Sequence, residues 1–440
     1  MIDFKKLTKP YQNDLAAAIK HFVAIPSVLD LTTKSESTPY GIHIDKALKE
    51  FAKLGDMYGF DVDLDSHYCE LSIGNEGPLI EVFGHLDVVP VTDNSLFTVR
   101  EDEDNYYGRG VADDKGPLLA ALYAVKALKD NGLIKNYRIK IFAGSDEENG
   151  SSGLDFYIKE KKKEIPEFGF TPDSSFPVVH GEKGGGKLSL VKKIKFDHII
   201  SIKGGIAGNI VMPECTFKVD NIDEIKNQLT DKAIIKGDEI TFIGKSAHGA
   251  SPFNGINAFL LGANTLGKIY KDNFLIKLYE KFIDYTGKAM GADAYSKYLK
   301  STTYSIGIVE YKNEELKIEV DARYPETTTF KIMGENVSKA VNMEIVKDTH
   351  ASNPLLIDPK SKLVTSLLDA YNAETNSNLK PITSGGGTYA KHVKNTLAFG
   401  AQPPGIDYFM HSIKEFIPKK DLVNAMSIYA HAIYNLMNRK

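Results

Sequence analysis

The sequence predicts an α/β protein in which a central, mainly parallel sheet flanked by helices is interrupted by an inserted α+β lid domain. Two apolar runs, 79–83 and 139–143, each end on a glycine and read as buried strands, and the Leu- and Ala-rich stretch 116–129 between them reads as a helix. Strand, helix and strand in that order indicate parallel pairing, and the ligands of such sheets gather outside the carboxyl ends of the strands. The third observation is a change of character near residue 183, where a glycine run gives way to alternating polar and apolar residues and to hairpin signals.

The elements follow from these patterns in chain order. The first strand ends at Gly84 and delivers His85; the helix begins directly behind Asp113-Asp114; the second strand ends at Gly144 and delivers Asp146, Glu147 and Glu148. Leu188-Ser189-Leu190-Val191 alternates as a half-exposed strand does, 233–244 reads as a hairpin turning at Gly237-Asp238, and 302–323 as another turning near Asn313. Helices at 255–270 and 273–286 lie between the hairpins. From Pro354 the pattern returns to a Leu-rich helix (362–376), a Gly-rich turn (384–388) and a final helix (420–437). Residues 1–182 and 354–440 are therefore expected to form one domain and 183–353 the lid. Lys161-Lys162-Lys163 reads as a solvated helix face.

Composition narrows the function classes. The 54 basic and 58 acidic residues nearly balance, so no strong field directs the chain to nucleic acid or to an anionic membrane. No cleavable apolar stretch follows Met1, and no run approaches the roughly 18 apolar residues of a membrane span, so a soluble, cytoplasmic protein is expected. Cys69 and Cys215 are too few for a disulfide scaffold or a thiolate metal site and read as reduced thiols. Lysine outnumbers arginine by 49 to 5, which makes the setting of each arginine informative. Arg109 stands in a Gly-Arg-Gly before the Asp pair, and Arg323 in Asp321-Ala322-Arg323-Tyr324-Pro325, whereas Arg100, Arg138 and Arg439 read as surface cations. Segment 181–187 fits G-x-x-x-x-G-K, but Leu188 replaces the Ser or Thr of a phosphate loop and a strand follows where a helix should. A Gly-rich crossing between domains is the better reading.

His85, Asp113, Glu147-Glu148 and Asp173, with His411 far downstream, supply what a two-metal hydrolase site requires. Such a site needs a carboxylate to bridge the ions, an imidazole or carboxylate for each ion, and an unligated acid or base beside the attacking water. A His-x-Asp or an adjacent Glu pair says little alone; the placement of these groups just after buried runs gives them weight.

These motifs resemble a known family. His85-Leu86-Asp87, the run from Gly108 to Gly116, Asp146-Glu147-Glu148-x-Gly150 and Ser246-Ala247-His248 are similar to those of the co-catalytic metallopeptidases that include acetylornithine deacetylase, succinyl-diaminopimelate desuccinylase and aminoacylase. Asn209-Ile210-Val211-Met212-Pro213, Arg323-Tyr324-Pro325 and Ser384-Gly385-Gly386-Gly387-Thr388-Tyr389 resemble the PepV-type and Xaa-His dipeptidase branch in particular.

The resemblance implies a catalytic, metal-binding domain and a definite set of roles. Asp113 would bridge two divalent ions, with His85 and Asp173 on one and Glu148 and His411 on the other. Zinc suits that mixture, and manganese or cobalt are alternatives. Asp87 would accept the second N–H of His85, and the Asp113-Asp114 peptide would be cis. Glu147 would be the general base for a metal-activated water, and His248 in the lid the oxyanion donor. Arg323, helped by Asn209 and backbone N–H groups around Gly386, would hold the free carboxylate of a dipeptide. The expected activity is hydrolysis of dipeptides, with N-acyl amino acid deacylation or desuccinylation as the alternative. A monomer is expected, with a homodimer as the alternative, because the lid is longer than in dimeric members.

Overall fold

The computed structural model describes residues 2–229 and 233–439, and for 347–350 the backbone only. It divides into two compact units. One contains the residues up to His180, together with Ile357–Ile382 and those from Thr388 onward; the other contains Gly181–Leu356 and Thr383–Gly387. The Gly-rich turn at 384–387 thus clusters with the inserted unit.

In the first unit, Arg138–Gly144, Leu79–His85, Phe168–Thr171 and Thr396–Ala398 lie side by side and run parallel. Tyr68–Ile73 and then Asp61–Leu64 extend the sheet antiparallel beyond Arg138–Gly144. Every residue of Leu79–His85 is buried, which accounts for its mostly apolar run. Helix Lys115–Asp130 is buried from Lys115 to Val125, and it packs in one core with Gln12–Val23, Ile42–Met57 and Lys419–Asn438. Gly84 permits a close approach at the head of that helix: a Cβ there would lie 2.5 Å from Asp114 Oδ2 and 2.8 Å from Leu118 Cδ1. Parallel register sets His85 opposite Gly144, so both strands end at one edge of the sheet.

The second unit is one eight-stranded antiparallel sheet in the spatial order Ala233–Lys236, Glu239–Ile243, Glu214–Val219, Ile199–Gly204, Thr303–Lys312, Glu315–Tyr324, Gly184–Lys193 and Glu344–Ser352. Helices Ala258–Tyr270, Asn273–Phe282 and Phe330–Val341 contribute to its core. Both expected hairpins form, turning at Gly237-Asp238 and Asn313-Glu314. Helix Phe330–Val341 and strand Glu344–Ser352 were not expected.

One local reading is refined and one corrected. The boundary between the units falls at Gly181, at the expected Gly-rich crossing, but Gly184-Gly185-Gly186 already open strand Gly184–Lys193, and aromatic rings occupy the space of the side chains missing at Gly184 and Gly186. A Cβ on Gly186 would be 2.2 Å from Phe330 and one on Gly184 2.5 Å from Tyr324. The lysine triplet lies at and beyond the end of helix Phe156–Glu160, and half-buried Lys163 reaches inward to Asp63 at 2.6 Å. Cys69 and Cys215 are free and buried, and burial pushes both thiols up. No helix among the described residues is long and apolar enough to cross a membrane.

Candidate metal centre

Three parallel strands and two loops of the first unit supply the groups. His85 ends its strand fully buried, Glu147 and Glu148 follow Arg138–Gly144, and Asp173 follows Phe168–Thr171. Asp113 precedes helix Lys115–Asp130 through a cis Asp113-Asp114 peptide, and His411 sits on a loop before the last helix.

The imidazole of His85 is oriented from behind. Its Nδ1 donates to the backbone carbonyl of Asp87 at 3.0 Å, which directs Nε2 toward Asp113 Oδ1 at 3.1 Å and Asp173 Oδ2 at 3.7 Å. Asp87 thus takes the second N–H of His85, through its backbone carbonyl, and its carboxylate has a further task. It lies 3.4 Å from Nδ1, and its two oxygens accept the backbone N–H groups of Glu147 and Glu148, each at 3.1 Å. A buried carboxylate therefore fixes the turn carrying both glutamates. Asp114 accepts the backbone N–H of His85 at 3.2 Å.

Asp113 faces two ways. While Oδ1 approaches His85, Oδ2 lies 2.9 Å from His411 Nε2, which is itself 3.2 Å from Glu148 Oε2. Ligand atoms of His85, Glu147 and Asp173 converge within 4.8 Å of one another, as do those of Asp113, Glu148 and His411. Glu147, expected to stand apart as the base, is thus within reach of the first cluster.

The electrostatics suit cations. Burial pushes the carboxyls of Glu147, Glu148 and Asp173 up, and negative neighbours add to it in each case. Burial also opposes ionisation of Asp113, but hydrogen bonds with His411 and His85 hold it below the usual carboxylate range. The same bonds to Asp113 and Glu148 push His411 up to about 10. Four carboxyl groups share two imidazoles, and burial makes the ionised forms of Glu147, Glu148 and Asp173 costly unless cations balance them. Two imidazoles and four carboxylates, one of them facing both groups, form a donor set that fits two divalent ions.

The remaining expected residues lie in the inserted unit, where the structure brings them together. The carbonyl of Asn209 accepts the N–H of Gly249 at 2.7 Å, beside His248. Asp321 takes Arg323 Nε at 3.0 Å, and its carboxylate occupies the space a side chain on Gly249 would need. A Cβ on Gly385 would be 3.0 Å from Ala250. The N–H of Gly386 is engaged by Ser384 Oγ at 3.0 Å, which alters its expected role. The sequence also allows Arg323 a purely structural reading, as a partner of Asp321 or Glu326, and Asp321 does engage its Nε.

Sequence reasoning passed over Glu415 and named Asp321 only as an alternative partner of Arg323. Both are buried carboxyls paired with the two singled-out arginines, so the rarity of arginine was the available signal.

Residues 82–435 match the model of the peptidase family M20/M25/M40. The chain belongs to this family. It is a peptidase and a hydrolase. It is 31% identical, over 467 aligned positions covering 98% of this chain and 99% of the relative, to a Staphylococcus aureus (strain USA300) protein named "Putative dipeptidase". The fold is similar to that of human carnosine dipeptidase 1, with a TM-score of 0.62 at 14% identity over 98% of both chains. It is also similar to an M20 family metallo-carboxypeptidase of Sulfolobus solfataricus, with a TM-score of 0.61 at 17% identity over 96% of this chain and 99% of that one.

Proposed function

We propose that this M20 peptidase is a two-metal dipeptidase. The observation that carries the reading is the double approach of Asp113, with one oxygen toward His85 and the other toward His411. His85 and Asp173 would hold one ion, Glu148 and His411 the other, and Asp113 both. Bound there, divalent ions polarise a carbonyl and lower the pKa of water.

The chain's own groups do the rest. Glu147 takes a proton from the attacking water and returns it to the leaving amine, a task suited to a carboxylate whose pKa burial has raised. His248 donates to the developing oxyanion. Its Nδ1 accepts the N–H of Ala250 at 3.1 Å, so the neutral ring carries its proton on Nε2. Arg323 reads the substrate's free carboxylate: Asp321 engages Nε and orients the guanidinium, while the Nη groups make no hydrogen bond among the described residues. The relative named as a dipeptidase supports the substrate class.

A substrate panel of dipeptides, C-terminally amidated dipeptides and N-acyl amino acids, assayed with zinc, manganese and cobalt in turn, tests this reading. Dipeptides should be cleaved best and their amides poorly. Preference for N-acyl amino acids would assign the deacylase reaction instead, and turnover unaffected by chelation would remove the metals.

A further inference from the structure

Arg109 was singled out by the sequence, and the proposed chemistry leaves it unused. It is 3% exposed, and Glu415 1%. One arm of its guanidinium donates to Glu415 Oε2, and the other reaches the carbonyl of Ser412 at 3.3 Å. The second oxygen of Glu415 accepts the N–H groups of Gly110 at 2.9 Å and Ala112 at 3.1 Å. The backbone joins in, with Gly108 N–H donating to the carbonyl of Glu415 at 3.3 Å and Phe416–Pro418 pairing with Asn105–Tyr107.

These bonds connect two particular places. Ser412 follows His411, and Ala112 precedes Asp113. His411 belongs to no strand or helix, its side chain is 55% exposed, and its φ of 63° is one that a non-glycine residue keeps only when its surroundings impose it. His85, by contrast, ends a fully buried strand, and Asp173 closely follows another.

We propose that the buried Arg109–Glu415 pair is a positioning device for the second ion, locking the His411 loop to the turn that carries Asp113. It rests on the proposed two-metal reading and adds to it a residue pair that touches neither ion nor substrate. Arginine is required because a single cation must reach both the Glu415 carboxylate and the Ser412 carbonyl, which the guanidinium fork does and an ammonium on a shorter reach does not. Among the described residues the pair has no comparable link to His85 or Asp173, so its loss should be felt most at the ion position served by His411 and less at the other, which shares only Asp113 with it.

The test is calorimetric titration of metal-stripped full-length protein with Zn²⁺. The variants are Arg109→Lys, Glu415→Gln and the double variant Arg109→Met/Glu415→Leu, which replaces the pair with apolar groups and leaves no buried charge unpaired. The expected result is two binding steps in the parent and, in the variants, one step weakened about 10- to 100-fold, the scale for groups that orient a ligand, with the other step weakened markedly less. The double variant should melt lower, because it leaves the N–H groups of Gly110 and Ala112 without an acceptor, yet show the same selective weakening; a purely structural role would weaken both steps alike. Two parent-like steps in any folded variant, or equal weakening of both, would overturn the proposal and leave the two-metal reading standing. A parent that binds no Zn²⁺ overturns both.

Discussion

At the scale of single residues, the adjacent carboxylates Glu147 and Glu148 are neighbours with separable duties. Asp87 fixes the N–H groups of both, so a side-chain change at either leaves the turn in place. Glu148 shares His411 with Asp113, whereas Glu147 lies with His85 and Asp173. Glu147→Gln should retain the greater part of its metal and lose about 10²-fold or more in kcat, the usual scale for a general base. Glu148→Gln should bind metal more weakly and recover activity as metal is added. Metal content by elemental analysis, measured beside kcat, checks this; equal metal loss in both would merge their roles. His85, Asp113, Glu147 and Glu148 were legible because they border recognisable strands and a helix. His411 was a candidate from its residue type alone and gained a definite place only through the family resemblance, since its loop has no periodic pattern. Glu415 was hidden because nothing local distinguishes a buried carboxylate from a surface one until its arginine partner is located, whereas Asp321 stands two residues from Arg323 and could be read as its partner.

At the scale of elements, strand Leu79–His85 carries a charge problem in its centre. Glu81 is fully buried, and Tyr157 donates to its Oε1 at 2.7 Å while also contacting Glu70. One phenol proton cannot serve two carboxylates. Burial pushes the Glu81 carboxyl up to about 8, against the favourable bond from Tyr157. The folded protein then holds this proton more tightly than the unfolded chain, whose carboxyl titrates near 4.5. Its contribution to stability is full below about pH 4.5 and is lost as the pH rises toward 8, on the order of a few kcal/mol. Glu81→Gln keeps a neutral, similarly shaped side chain, so its melting temperature should fall less than the parent's between pH 5 and pH 8. Parallel pH dependences in thermal melts would place the titration elsewhere. The strand itself was legible because five apolar or small residues outweigh one glutamate. Helix Phe330–Val341 was not, although Phe330, Met333, Val337 and Val341 form its buried face and Thr329 caps it. Its β-branched residues and internal glycine weaken the helical signal, and packing in the core supplies what local propensity lacks.

At the scale of the whole molecule, the two units have separate hydrophobic cores, and every expected metal ligand belongs to the first. Folding of that unit gathers four carboxylates whose mutual repulsion the two imidazoles only partly offset. Ions that bind only the folded state stabilise it by mass action, about 4 kcal/mol per site at a free concentration 1,000 times Kd. The effect should be local as well as global, because the turn at 146–150 and the loop at 409–415 are ordered partly by what their side chains hold. Chelation should therefore speed amide exchange in those two segments and along the carboxyl ends of the parallel strands. In the same experiment, the hairpin of Thr303–Lys312 and Glu315–Tyr324 should exchange at its original rate, since none of the expected ligands lies in the inserted unit. Adding Zn²⁺ back should restore protection and activity together. Exchange that rises equally in the hairpin would mean that the ions stabilise the chain as one cooperative body, and unchanged exchange in both segments would mean that the fold holds its charged cluster without them.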